Sequence, residues 1–351
     1  MNLSQHASDL RGESATTAAR LPALLRSRSL QVAVVGYVAA NLVFLALGRA
    51  GLPFQLPATF PNSLGYQLVN HVVQLVEALL IIAIAYVITR GNAVSSAQLV
   101  GRAPACARAA AETAGMVAYA VLAQAGGWAV GSLLGLHPLS LHLPGTLYGL
   151  TTVVAPREVY AWSIYNFVMY AVIPYAYFRL MGYSNGQLSL RSTNRRRDVM
   201  VIGVVLLVEA ALELAYNHSI FTLSPSQLLG GVPVSFVVHL FGTVLPIMVF
   251  IYAILLPRYL RLTGSAVATV ILGGLTYAAL HTLDPWAVWA GPRDAALSLL
   301  FVFFQYFGPG MVKSVLTLRT GNAWVHAFAY HAIAPHVTLD TPNIVRILGI
   351  R

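Results

Sequence analysis

Apolar residues in this chain come in long unbroken blocks, separated by short stretches rich in Arg, Pro, Gly, Asn and Ser. Val199 to Val208 is one such block, and apolar and polar positions do not alternate within it. A helix needs about 17 to 25 predominantly apolar residues to cross roughly 30 Å of hydrocarbon. A strand of an outer-membrane barrel would instead alternate over about ten positions. The pattern therefore predicts membrane-spanning helices near 30–48, 68–89, 114–136, 158–180, 199–216, 232–256, 265–283, 295–316 and 322–339. The last is the least regular, because Pro335 and three histidines interrupt it. The expected fold class is all-α, a polytopic membrane helical bundle with about nine transmembrane helices.

Composition agrees with that reading. Of 351 residues, 58% are hydrophobic and 9% charged, against about 25% charged in a soluble domain. The net charge of +10 would raise nucleic acid as a partner in a soluble protein, but here the arginines sort by loop. Arg11, Arg20, Arg26, Arg28, Arg90, Arg102, Arg108, Arg179, Arg191, Arg195, Arg196, Arg197, Arg258, Arg261 and Arg319 fall on one side. Arg49, Arg157, Arg293, Arg346 and Arg351 fall on the other, a split of 15 to 5. The positive-inside rule then puts the N-terminus in the cytoplasm and, after nine spans, the C-terminus outside. Lipid is the expected partner, and nucleic acid is not.

Residues 1–29 read as a basic, disordered tail on anionic headgroups, residues 30–190 as an N-terminal set of spans, 199–339 as a C-terminal core and 340–351 as a tail. Arg191 to Asp198 is the expected hinge between the two sets. The single cysteine, Cys106, leaves no intrachain disulfide and no thiolate metal cage. The sequence shows no phosphate loop, dinucleotide fingerprint or HExxH in a supporting context, and no internal repeat of the kind inverted-repeat transporters carry.

Ionisable side chains inside hydrocarbon need a partner, a cavity or a function. Glu209 and Glu213 are four apart and share a helical face; they could bind metal, share a proton or activate water. His281 ends its predicted span, and His326, His331 and His336 follow one another five apart, about 140° around a helix, so they cannot all face one site; His331 is the expected inward one. Glu213, His218, His239, His281 and His336 all fall at the same outer depth. His71 and Glu77 read as a structural pair. Lys313, the lone lysine, is expected to snorkel to the interface. Gly308-Pro309-Gly310 is expected to kink its helix and allow close packing, and Trp286 and Trp289 to anchor at the interface.

Three stretches resemble the CPBP family of CAAX-type and bacteriocin-processing intramembrane endopeptidases. These are Pro246 to Gly264 (PIMVFIYAILLPRYLRLTG), Gly274 to His281 (GLTYAALH) and Leu318 to His331 (LRTGNAWVHAFAYH). With the YFRLMGYSNGQLSLR stretch, the resemblance covers about residues 170–339. It implies hydrolysis of a membrane-associated peptide by a glutamate and two histidines, with an asparagine holding the oxyanion. The histidines correspond to His281 and His331. The acidic pair falls on Ile247 and Met248, the arginine on Tyr252, the glycine on Ala253 and the asparagine on Pro335. The family mechanism thus needs a substitute: Glu209 or Glu213 in the vacant position, with His336 as the oxyanion donor. His281, His331 and Glu213 could also hold zinc with an open fourth position, although the same residues can act without it. The competing readings are an inactive relative that binds a membrane peptide, lipid or partner protein, and a proton-coupled transporter using Glu77, Glu209 and Glu213.

Overall fold

The computed structural model describes residues 26–54, 63–144, 154–284 and 287–351, and these are helical with no strand among them. The expected tail lies largely in 1–25 and Trp286 in 285–286, outside the described residues. The principal helices are α1 (Arg28–Gly48), α2 (Leu64–Ile88), α3 (Cys106–Leu133), α4 (156–180, with a π-helical turn at Phe167–Val172), α5 (Arg195–Tyr216) and α6 (Pro225–Thr263). They continue with α7 (Ala266–Ala279), α8 (Pro292–Thr320), α9 (323–339) and α10 (Thr341–Leu348). Among the described residues, α1, α2, α3, α5, α6 and α8 are long and apolar enough to cross a membrane. Their outer faces expose Val32, Val35, Leu42, Val69, Val76, Val121 and Leu122. So continuous an apolar exterior suits lipid rather than water.

Local chemistry sets the helix ends. α6 starts seven residues before the predicted 232 because Ser224 and Gln227 form a capping box ahead of Pro225. It stops at Gly264, whose φ of 62° lies in the left-handed region, and Ser265 caps α7 by accepting from Ala268 N at 3.2 Å. Between Met248 and Leu255 every residue of α6 is buried, so α6 is the central post of the bundle. The positions where the family carries its acidic pair, arginine and glycine are packed interior here: Ile247, Met248, Tyr252 and Ala253 are all buried.

Helix α7 lies close against α8. A Cβ on Gly310 would stand 2.8 Å from both Gly274 Cα and Tyr277 Cβ, and one on Gly274 would stand 2.8 Å from Phe307 O. The close packing expected of Gly308-Pro309-Gly310 is therefore present, and α8 continues through Pro309 without ending.

The arginine-rich end is tied by buried polar contacts. Arg258 Nε donates to Glu112 Oε2 at 2.8 Å, and its guanidinium lies 4.4 Å from the Phe178 ring centre. Tyr183 donates to Glu112 Oε1 at 2.7 Å; burial, then this bond, pushes its hydroxyl pKa up and keeps it a donor. Arg191 to Asp198, expected as a hinge, is anchored instead. Arg197 donates to Asp198 Oδ1, Asn92 O and Thr320 O, while Asp198 Oδ2 accepts from Ser192 and Asn322. The first five residues (LRTGN) of the third stretch of the resemblance, Leu318 to His331, belong to this tie. Arg319 bonds Thr89, Gly321 takes a φ of 63°, and Asn322 caps α9 while holding Asp198. They build the α8–α9 reversal.

Two stability outcomes follow from this packing. Gly310→Val should cost about 1–3 kcal/mol by overpacking, read as earlier thermal unfolding in detergent. Gly36→Ala, where the new methyl meets nothing within 4 Å, should not. Arg258→Met should destabilise by about 1.5–3 kcal/mol, because it removes a charged hydrogen bond while Arg108 and Tyr183 still hold Glu112. Glu112→Gln should cost less on top of that change than in the parent chain; equal costs in the two backgrounds would contradict the pairing.

Candidate functional site: a buried histidine–aspartate cluster

The site begins with a stretch of chain that is not helical. After α3, residues Leu139 to Leu143 run through the interior and all five are buried. Irregular backbone at membrane depth is tolerated only where protein satisfies its polar groups, and that is done here. Leu139 N donates to Gly127 O at 3.2 Å, and Ser140 O accepts from Trp162 Nε1 at 2.8 Å and Asn166 Nδ2 at 2.9 Å. The segment can lie this close because Gly127 and Gly131 have no side chain: a Cβ on either would collide with Leu139 O or His137 O. Its entry is held by His137, whose Nδ1 sits 2.6 Å from Glu158 Oε2. The result is that His142 projects into the bundle.

There His142 Nδ1 lies 2.9 Å from Asp284 Oδ2 and 2.9 Å from the Tyr306 hydroxyl. The His281 ring is 4.6 Å away, centre to centre. The Nδ1–H of His281 donates to Tyr277 O, one turn back, at 2.8 Å. That bond fixes the tautomer and leaves Nε2 bearing a lone pair, fully buried and without a hydrogen-bond partner.

A second group of the same construction adjoins the first. His239 on α6 donates Nδ1–H to Ser235 O at 2.8 Å, and its Nε2 has no hydrogen bond, lying 3.4 Å from Asp340 Oδ2. His336 Nδ1 is 3.0 Å from the same oxygen, and the His239 and His336 rings stack 4.7 Å apart. The groups meet where the His142 and His336 rings are 6.5 Å apart. His331 stands beside them, 5.2 Å from His336 and 6.0 Å from Tyr277, with both ring nitrogens unpartnered. Three of these imidazoles adjoin π-helical turns of α6 and α9, at Leu240–Val244, Ala327–His331 and Ala334–Leu339, a distortion common at functional sites.

The structure thus brings together His281, His331 and His336 of the predicted residues, with His239 from the same predicted depth. His218 at that depth is exposed. Glu209 and Glu213 belong to neither histidine–aspartate group. The electrostatic neighbours of Glu209 are Glu213, Glu77 and Lys313, and its Oε2 has no partner. Glu213 senses Glu77 and Asp340. Neither glutamate makes a hydrogen bond or ion pair with His281 or His331. Among the described residues, His281 is the one of the metal candidates His281, His331 and Glu213 that belongs to a three-residue ligand group; the groups there are His142/His281/Asp284 and His239/His336/Asp340, with one ligand atom of each residue within 4.8 Å of the others.

Two further expectations change. Lys313 does not snorkel: it is 2% exposed, with Nζ 3.6 Å from the Tyr277 ring centre, because an aromatic face inside the bundle attracts the ammonium. His71 pairs with Asn41 at 3.2 Å and stacks on Phe304 rather than meeting Glu77.

His142, Asp284, Tyr306 and Asp340 were not legible as site residues. Asp284 and Asp340 leave a signal, three after His281 and four after His336, the spacing that puts two side chains on one helical face. No family model, curated protein or solved structure matches this chain.

Proposed function

We propose that this chain is a membrane protein of about nine crossings, N-terminus cytoplasmic and C-terminus outside, that hydrolyses an amide bond of a membrane-associated peptide at the histidine–aspartate cluster. The observation that carries the reading is the set of tautomer-locked or unpartnered imidazoles buried beside two aspartates, in a bundle whose exterior suits lipid. A polar group left unmatched in a dry interior costs free energy. Such groups are worth keeping where a reactant supplies the missing partner.

The roles follow from position. Asp284 orients His142 as a carboxylate orients imidazole in hydrolytic triads. His142, His281 and Asp284 then hold a water between them, and His331 beside them takes its proton. The hydroxide adds to the peptide carbonyl, and the C–N bond breaks. His331, with both nitrogens unengaged, returns the proton to the departing amine. In this arrangement Asp284 takes the part of the family's missing glutamate, and Glu209 and Glu213 serve other ends.

One observation favours a second reading, in which the same cavity binds a membrane peptide, lipid or partner protein without turnover. Pro335 occupies the family's amide position and Ile247 and Met248 its acidic pair.

The test uses the full chain in nanodiscs with membrane-anchored fluorogenic peptides. Cleavage should fall about 100-fold or more in His281→Ala, His331→Ala and Asp284→Asn, the scale of lost acid–base assistance. Glu209→Gln/Glu213→Gln should retain cleavage within a few-fold. Loss of cleavage in the glutamate variant with Asp284→Asn intact would return the chemistry to the glutamates. Binding without cleavage across a peptide library would establish the second reading.

A further inference from the structure

The paired groups have a property that neither peptide hydrolysis nor structural packing requires: each is built as a metal cradle, and the construction is repeated. We infer that the cluster binds two divalent transition-metal ions of the zinc class, one held by His142, His281 and Asp284 and the other by His239, His336 and Asp340. The inference concerns what the site holds, and it stands whether or not a peptide is the substrate.

The first argument is the donor set. Each group offers two imidazoles and one carboxylate with ligand atoms mutually within 4.8 Å. Zinc bonds near 2 Å place tetrahedral donors about 3.3 Å apart, so closure needs only a small inward adjustment of side chains. Two imidazoles and a carboxylate with no sulfur favour zinc and its neighbours over copper(I), which prefers thiolate, and over calcium or magnesium, which prefer oxygen alone. The chain's one cysteine, Cys106, is exposed and bonds towards Arg261 O.

The second argument is independent of the clustering and concerns proton positions. A metal-binding imidazole donates its far N–H to a backbone carbonyl or carboxylate, which leaves the near nitrogen free to coordinate. His281 and His239 each satisfy this with a 2.8 Å bond to the carbonyl one turn back, and each has a buried Nε2 with no hydrogen bond. Those are the two lone pairs that a cation would complete, one in each group. Their ring partners, His142 and His336, stand 2.9 Å and 3.0 Å from Asp284 and Asp340.

The third argument is charge. One aspartate leaves each divalent ion with a single uncompensated charge, which one hydroxide or one substrate carboxylate neutralises. A site that is neutral once loaded is the affordable kind at membrane depth. The groups adjoin where the His142 and His336 rings are 6.5 Å apart, so two ions here would be neighbours, each with its own aspartate.

The experiment measures metal content of the full chain purified in detergent and passed through metal-free buffer. Two zinc-class ions per chain are expected, with one lost in Asp284→Asn, one in Asp340→Asn and both in the double variant. His218→Ala, at the exposed histidine outside the cluster, should keep both. Because a variant can fail to fold, the wild-type chain is also loaded with cobalt(II). Visible d–d absorption and X-ray absorption showing nitrogen and oxygen ligands, imidazole among them and no sulfur, are expected. No retained metal and no cobalt spectrum would overturn the inference, as would a stoichiometry unchanged by both aspartate variants. A single ion sensitive to only one aspartate would overturn the two-ion assignment. Bound metal without cleavage would uphold this inference and sink the hydrolase reading; cleavage by a chain that takes up no metal on loading would do the reverse.

Discussion

A hydrocarbon surround cannot hydrogen-bond, and every other feature of this molecule answers to that. In water, an imidazole or carboxylate that points the wrong way is solvated at little cost. In lipid it is stranded, at a cost of several kcal/mol when no partner is found. The helices are therefore arranged so that their polar residues meet one another. Arg258 finds Glu112, Arg197 finds Asp198 and two carbonyls, and His142 finds Asp284 and Tyr306. The apolar outer faces need only be featureless.

This constraint divides the bundle into two polar layers that do different work. At the arginine-rich end the contacts are charged and short, and they fasten the loops, including the LRTGN reversal. At the other end the histidine–aspartate cluster is left incomplete, with no hydrogen bond at Nε2 of His281 or His239 or at either nitrogen of His331. A satisfied layer stabilises, while an unsatisfied one waits for a ligand. Between them runs the fully buried stretch of α6, from Met248 to Leu255, against which α4, α7, α8 and α9 pack. Glycine makes the intimate approaches possible, at Gly274 and Gly310 for α7 against α8 and at Gly127 and Gly131 for the buried loop that delivers His142.

The resemblance to the CPBP family looks different in this light. Its third stretch, Leu318 to His331, opens with a turn whose residues are occupied with capping and anchoring and ends at His331 beside the cluster. The two histidines do reach the cluster. The carboxylates grouped with imidazoles are Asp284 and Asp340, while Glu209 lies near Glu213, Glu77 and Lys313, and Glu213 near Glu77 and Asp340. The face that two glutamates share on one helix is set by local geometry, whereas the neighbour that face meets is not.

What the chain alone determined is what depends on near neighbours in sequence. Block length and hydropathy marked a helix in each predicted stretch. Capping residues such as Ser224, Gly264 and Asn322 set the ends, and the position of each histidine along its span placed His239, His281 and His336 at one depth. The tertiary structure alone decided which way each helix is rotated about its axis, and so which of the residues at that depth converge. It also decided that a loop re-enters the bundle with His142, that Lys313 turns towards Tyr277 and that the aspartates rather than the glutamates face the imidazoles. Depth follows from rise per residue, a property of one helix. Rotation and convergence come from side chains competing for partners across several helices at once, and no single segment contains that information.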